Sequence, residues 1–474
     1  MIYVPRPYQK IGLGHLLDIP RCALWAGMGM GKTLTSIALV DTLYLCGEKA
    51  PTLVIAPLRV ARDTWPDELA RWETFEHLNI SAVVGTEPQR RAALAVRAHI
   101  YTINYEQLPW LVDVFGDRWP FRTVIADEAT RLKSHRVSIQ TSKKGKQWLM
   151  SKGKRSRAKA LAEIAFKRIE RFVQLTGTPS PNGLKDLWGQ LWFLDGGARL
   201  GRSFDAFSQR WFYPDRSGYG VLPHVFAQEQ IEAAVKDICL TLDPKDWFDL
   251  KDPIETTVTV KLPPAARKAY RAMEDKMFLE IEGAGVEAFN AAGKTLKCLQ
   301  LANGAIYTNE EATEWAEVHD AKIQALESIL EEAGGMPVIC AYHFRSDLVR
   351  LKKAFPKGVD LSDKTGMRKF KAGDAPIGFG HPDSVGHGID GLQLASNIAV
   401  FFGHWWNSDA REQFIARVGP IRQSQSGMNR HTYVYNICVA DSIDETVMER
   451  HRAKISVQDA LLAACNRHRR YRAN

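Results

Sequence analysis

Hydrophobic and polar positions along this chain switch repeatedly between two spacings. Strand-type apolar runs at Thr52 to Pro57, Ile80 to Val84, Ile100 to Thr102, Thr123 to Ala126 and Phe172 to Leu175 alternate with helical patterns. That alternation predicts a parallel sheet wrapped by helices. Ahead of it, Cys22 to Trp25 reads as a short buried strand and Leu34 to Val40 as the start of a helix. From Gly183 to Leu250 the pattern is helical and aromatic, with Trp188, Trp192, Phe193, Phe204, Phe207, Trp211 and Phe212 mostly at helix spacing. Such a stripe reads as core. Polar, proline-marked Asp249 to Pro253 is the predicted hinge, followed by a helical section to about Ala333. Strand-type runs then return at Pro337 to Ala341, Ile377 to Gly380, Ile398 to Phe402 and Thr432 to Cys438. The expectation is an α/β protein of two lobes, 1–250 and 251–474, each built on a parallel sheet, with helical additions to the first.

Composition agrees with that picture. At 474 residues the chain exceeds what one core organises. Its 45% apolar and 25% charged residues are those of an ordinary globular protein. No apolar run reaches membrane-spanning length, and Met1 to Tyr8 lacks the apolar stretch of a signal peptide, so a cytoplasmic or nucleoid location is expected. Seven cysteines, scattered singly at 22, 46, 239, 298, 340, 438 and 465, argue against a disulfide framework and a zinc site. Net charge is +9, but the distribution says more: Ala129 to Ala162 holds eleven Lys or Arg and no acid. A block of +11 points to a polyanionic partner. The alternative is a solvated loop without a ligand.

The chemistry begins at Ala26-Gly27-Met28-Gly29-Met30-Gly31-Lys32-Thr33, which lies between the first strand and its helix. A loop that wraps a triphosphate brings backbone N–H groups close to charged oxygens, which Gly29 and Gly31 permit for want of a Cβ. Lys32 then reaches the β and γ phosphates, and Thr33 places a hydroxyl on Mg²⁺ at a helix N-terminus. Ala26 stands where the usual pattern has its first glycine. Asp127-Glu128 ends the apolar strand Thr123 to Ala126, the sheet edge where ligands bind. There Asp127 is suited to hold Mg²⁺ and Glu128 to orient and deprotonate water, the two tasks phosphoryl transfer needs.

Leu175-Thr176-Gly177-Thr178-Pro179, continuing to Trp188, resembles the third motif of superfamily 2 helicases in the extended form of Snf2-type ATPases. Other segments match in order. Arg6-Pro7-Tyr8-Gln9 resembles the segment whose glutamine reads adenine, Ala56 to Arg59 motif Ia, and Ile103-Asn104-Tyr105 motif Ib. Pro337 to Phe344 is similar to motif IV, Ser384 to Asp390 to motif V, and Gln413 to Gln423 to motif VI. The resemblance implies two RecA-like lobes with helical Snf2-type additions, ATP and Mg²⁺ as cofactors, and DNA as the partner. It assigns the nucleotide to Gln9, Gly29, Met30, Gly31, Lys32, Thr33, Thr176 and Thr178, with Thr33 and Asp127 at the metal. Arg59 and Asn104 inherit phosphate contacts.

Two departures stand out. Three residues beyond Arg417, where most members carry a second arginine, this chain has Pro420, with Arg422 two residues later. That form resembles the short phage and prokaryotic members, and it leaves either Arg417 or Arg422 as the arginine finger. Motif V has Asp390 or, shifted, Gln393 in place of an asparagine; Gln393 is the DNA-side candidate, and His387 reads equally well as a loop histidine. In the basic block, Lys133, Arg136, Lys143 and Lys144 lead the cations expected to meet phosphates without sequence choice. The expected protein is a DNA-stimulated ATPase that moves on duplex DNA. Its rivals are a strand-separating helicase on DNA or RNA and a nucleic-acid binder that uses ATP only as a switch.

Overall fold

The computed structural model describes residues 1–141, 147–151, 156–177, 179–180, 183–214, 221–283, 295–385, 390–428 and 430–453. The chain divides into two compact units, Met1–Phe248 and Asp249–Asn474.

Unit 1 is built on seven parallel strands. In chain order these are β1 (Arg21–Ala26), β2 (Thr52–Ala56), β3 (Ile80–Val83), β4 (Ile100–Asn104) and β5 (Thr123–Asp127). An antiparallel hairpin, β6 (Val137–Thr141) and β7 (Gln147–Ser151), intervenes before β8 (Arg171–Thr176). A second hairpin, β9 (Phe212–Pro214) and β10 (Val221–Pro223), precedes β11 (Cys239–Leu242). The sheet order is β11-β1-β8-β5-β2-β4-β3. Both faces are covered, so successive residues of one strand enter different cores. Leu53, Ile55, Val124, Ala126 and Phe172 join one cluster, while Val54, Ala56, Ile125, Val173 and Leu175 join the other. Double coverage explains why these strands read as near-continuous apolar runs.

Helix α1 (Pro7–Asp18) starts on a proline, whose missing N–H costs nothing in a first turn, and Gln9 Oε1 accepts the Arg6 N–H at 2.9 Å. The aromatic stripe is core, as its spacing implied. Trp188, Trp192 and Phe193 on helix Lys185–Asp195, and Phe207 and Trp211 on helix Phe204–Trp211, are buried against the sheet.

Unit 2 carries six parallel strands: β12 (Ile254–Val260), β15 (Val338–Ala341), β16 (Val359–Asp360), β17 (Ile377–Gly380), β18 (Ile398–Phe401) and β19 (Tyr433–Val439). Their order is β12-β19-β18-β15-β17-β16. A small hairpin, β13 (Ala305–Tyr307) with β14 (Trp315–Glu317), follows the helical section. Strand β12 lies where the sequence reading had helix. Its Ile-Glu-Thr-Thr-Val-Thr-Val run is largely exposed at a sheet edge and lacks an apolar signal. The six described cysteines are free, and all but Cys46 are buried.

His404, Cys438 and Asp444 cluster in this core with their ligand atoms within 4.8 Å of one another. The cation here is a side chain. Lys322 Nζ lies 2.7 Å from Asp444 Oδ2, with both side chains fully buried, and also donates to Asn303 Oδ1 at 2.9 Å. Removing one member of such a pair strands a buried charge. Lys322→Met is therefore expected to cost about 3–5 kcal/mol, read as a urea-unfolding transition moved to lower denaturant.

Candidate nucleotide-binding site

Strand order assembles the site. Because β8 lies between β1 and β5, the ends of three neighbouring parallel strands bring Ala26, Thr176 and Asp127 side by side. This is the carboxyl edge at which ligands of open α/β sheets bind.

From β1 the chain turns through the glycine loop into α2 (Lys32–Leu45). Gly31 has φ +73°, and a Cβ there would collide with the Gln9 amide. Gly29 also has positive φ, at +84°. A side chain at Gly31 would thus fill the space through which Gln9 meets the loop. The Lys32 ammonium donates to the carbonyls of Ala26 at 2.7 Å and Gly27 at 3.3 Å. A Cβ on Gly177 would stand 3.6 Å from that same Nζ, so the Thr-Gly segment sits directly against the lysine. Met30 is buried, Thr33 half-buried and Thr176 fully buried; Thr178 lies outside the described residues.

Asp127 is buried, and its Oδ2 accepts the Trp65 indole N–H at 3.0 Å. Burial raises its carboxyl pKa, with the indole bond and the nearby Lys32 charge opposing the rise. The Tyr105 hydroxyl, on a fully buried ring, donates to the Asp127 carbonyl at 2.9 Å. Glu128 follows in the left-handed region at φ 57°, half-buried. That conformation costs a non-glycine residue about 1–2 kcal/mol, and such strain concentrates at functional sites.

The residues expected at nucleic acid divide into two groups. Arg59 is half-buried beside Asp63, and burial lowers its guanidinium pKa. Several others are held by neighbours. Asn104 is buried and donates to Glu106 Oε2 at 2.9 Å; Gln393 is buried between the Gly391 N–H at 3.0 Å and Ser426 Oγ at 3.3 Å. Lys133 pairs with Asp186 at 3.3 Å. Arg136 donates to the Lys133 and His135 carbonyls at 2.6 and 2.7 Å, with its guanidinium 3.8 Å above the Phe204 ring. Each of these four has a partner within the protein, which the sequence alone did not reveal. Lys143 and Lys144 lie outside the described residues, as does His387.

In unit 2, Pro420 opens helix Pro420–Gln425 at its first position, which accounts for proline where an arginine is usual. Arg422, on the same helix, pairs with Asp390. Arg417 is half-buried at the end of helix Ser408–Ala416. Sequence reading missed Trp65 and Glu106, and gave Tyr105 and Asp186, quoted within motifs, no role of their own. One signal was available for Trp65, since a buried indole N–H is donor-only and demands an acceptor.

The donor set fits a nucleotide and a hard cation: backbone N–H groups and an ammonium for phosphate, a carboxylate and a hydroxyl for Mg²⁺. The sequence profile of the SNF2-related domain matches residues 18–304. A protein of Acyrthosiphon pisum secondary endosymbiont phage 1, putative protein p41, is 50% identical over 98% of this chain and 99% of its own. Chromodomain-helicase-DNA-binding protein 7 of Gallus gallus is 25% identical over 96% of this chain, which spans 16% of that protein. Among solved structures, the Sulfolobus solfataricus SWI2/SNF2 ATPase core in complex with dsDNA aligns at TM-score 0.44 and 22% identity, covering 95% of this chain and 91% of that one.

Proposed function

The chain belongs to the SNF2-related domain family, and from that premise we propose that it is an ATP-driven motor that moves on duplex DNA and hydrolyses ATP faster when bound to it. The observation that carries the nucleotide half of this reading is the packing of Lys32, Gly177 and Asp127 at one sheet edge. The basic block from Ala129 to Ala162 supports the DNA half: eleven cations without an acid suit a phosphate backbone and carry no base-reading module.

In this reading the N–H groups of Gly29, Met30 and Gly31 and the Lys32 ammonium hold the phosphates, with Gln9 at the base. Thr33 and Asp127 hold Mg²⁺, which when bound spreads the negative charge of the β and γ phosphates. Glu128 orients the attacking water and takes its proton. Thr176 and Thr178 sense the state of the γ-phosphate through their hydroxyls. The transferring phosphoryl group needs a positive charge, and the arginines of the motif VI segment, Arg417 and Arg422, are suited to supply it. Arg417 is the first candidate by its place in motif VI, and Arg422, which pairs with Asp390, is the second.

No described helix is long and apolar enough to cross a membrane. With a phage protein among its relatives, the protein is assigned to the cytoplasm of a host cell. The test is phosphate release measured with and without duplex DNA, with single-stranded DNA and RNA as competitors at fixed salt.

A further inference from the structure

Between the acid pair and the Thr-Gly segment the chain leaves the sheet to form the β6–β7 hairpin, in the middle of the basic block. Only Ala129 to Arg136 separate Glu128 from β6. That connector is clamped along its length. Ala129 and Leu132 are fully buried, and the 3₁₀ turn they span begins directly on Glu128. Lys133 is held by Asp186 at 3.3 Å, and a Cβ on Gly189 would collide with the Lys133 carbonyl, so helix Lys185–Asp195 lies hard against the connector backbone. His135 is buried with its ring 4.6 Å from Trp192 and 4.9 Å from Phe193. Arg136 caps the connector over Phe204, and Val137, the first residue of β6, is buried.

The clamping helix also reaches the Thr-Gly segment, because the Gln190 amide donates to the Pro179 carbonyl. Both sides of the excursion meet again at one carboxylate. Arg131 before the hairpin and Arg157 after it lie 3.4 and 3.0 Å from Glu106 Oε1, and Asn104 donates to the other oxygen. All three charged side chains are about one-third to one-half exposed. A phosphate oxygen arriving there competes with Glu106 for both guanidinium groups.

We propose that the clamped connector Ala129 to Arg136, with the Glu106 cluster beside it, is the element through which nucleic acid governs Glu128. Phosphate contacts at that cluster draw Arg131 and Arg157 from Glu106, and the connector carries the movement to the turn that orients the Glu128 carboxylate. Close-packed connectors transmit displacement where loose ones absorb it. Lys133 and Asp186 are positioning residues in this scheme, acting through Glu128. The inference rests on the reading of the protein as a nucleic-acid-stimulated ATPase.

Two variants test it. In one, Arg131→Gln and Arg157→Gln together remove both guanidinium groups from Glu106. In the other, Asp186→Asn releases Lys133 with the arginine pair intact, and Asp186→Glu serves as the conservative rescue. Phosphate release is measured over a duplex titration, and duplex affinity by anisotropy of a labelled strand pair. The expected result is a fall of about ten-fold in the stimulation factor at saturating duplex in both variants. For Asp186→Asn the anisotropy isotherm stays within about two-fold of the parent, and Asp186→Glu recovers stimulation. Full maximal turnover with only a raised half-saturating concentration makes the arginine pair an affinity element and overturns the proposal. So does normal stimulation in either variant, or equal loss of turnover with and without duplex. A parent protein that duplex does not stimulate instead contradicts the proposed function, which keeps the two failures distinct.

Discussion

Lys32→Ala is expected to remove ATP turnover and most nucleotide affinity together. The ammonium stands where three elements meet: it bonds the carbonyls of Ala26 and Gly27, it lies against Gly177, and its charge is felt by Asp127. Alanine deletes the one cation that the loop itself contributes. Losing a single preorganised donor to a developing negative charge costs about 10²–10³-fold in kcat, or roughly 3–4 kcal/mol. Binding falls as well, because the same ammonium meets the phosphates in the ground state. The fold should survive, since Lys32 is half-buried and packs in no hydrophobic cluster. Phosphate release and fluorescent-nucleotide binding, with circular dichroism as the folding control, check this. Near-parental turnover in a folded variant contradicts the assignment of the loop.

Glu128→Gln is expected to separate the two losses. The amide keeps the size and hydrogen-bonding reach of the side chain but takes no proton from water. General-base removal costs about 10²–10⁴-fold in turnover, while nucleotide affinity stays near parental, because Lys32 and the loop N–H groups are untouched. Both residues pay the same left-handed backbone cost at this position, so the comparison isolates the carboxylate. The readouts are phosphate release and nucleotide affinity. A variant that turns over normally removes Glu128 from the chemistry; one that loses affinity in step with turnover makes it a binding residue.

The clustering of the candidate site was legible because its determinants are local. The glycine spacing, the Lys-Thr offset and an acid pair ending an apolar strand each sit within a few residues, and the alternating runs imply the parallel sheet whose edge collects them. Residue direction was not legible. Lys133 and Arg136 read as surface cations within a basic block, yet Asp186 and Phe204 arrive from far along the chain to hold them. Asn104 and Gln393 were satisfied in the same way, by Glu106 and by Gly391 with Ser426. Strand β12 escaped notice because an exposed edge needs only threonine-rich β propensity; of the two inserted hairpins of unit 1, one lay in the basic block and the other inside the stretch read as helical. The pairing of Asp390 with Arg422 joined two departures from the usual motifs that the sequence presented as unrelated.

The central claim, that nucleic acid drives ATP hydrolysis here, is tested most directly by the initial rate of phosphate release before and after adding saturating duplex DNA. Turnover should rise by about ten-fold or more, the duplex concentration for half effect should climb steeply with salt, and Lys32→Ala should show no rise. An equal rate with and without duplex, in protein that binds both ATP and DNA, would contradict the account.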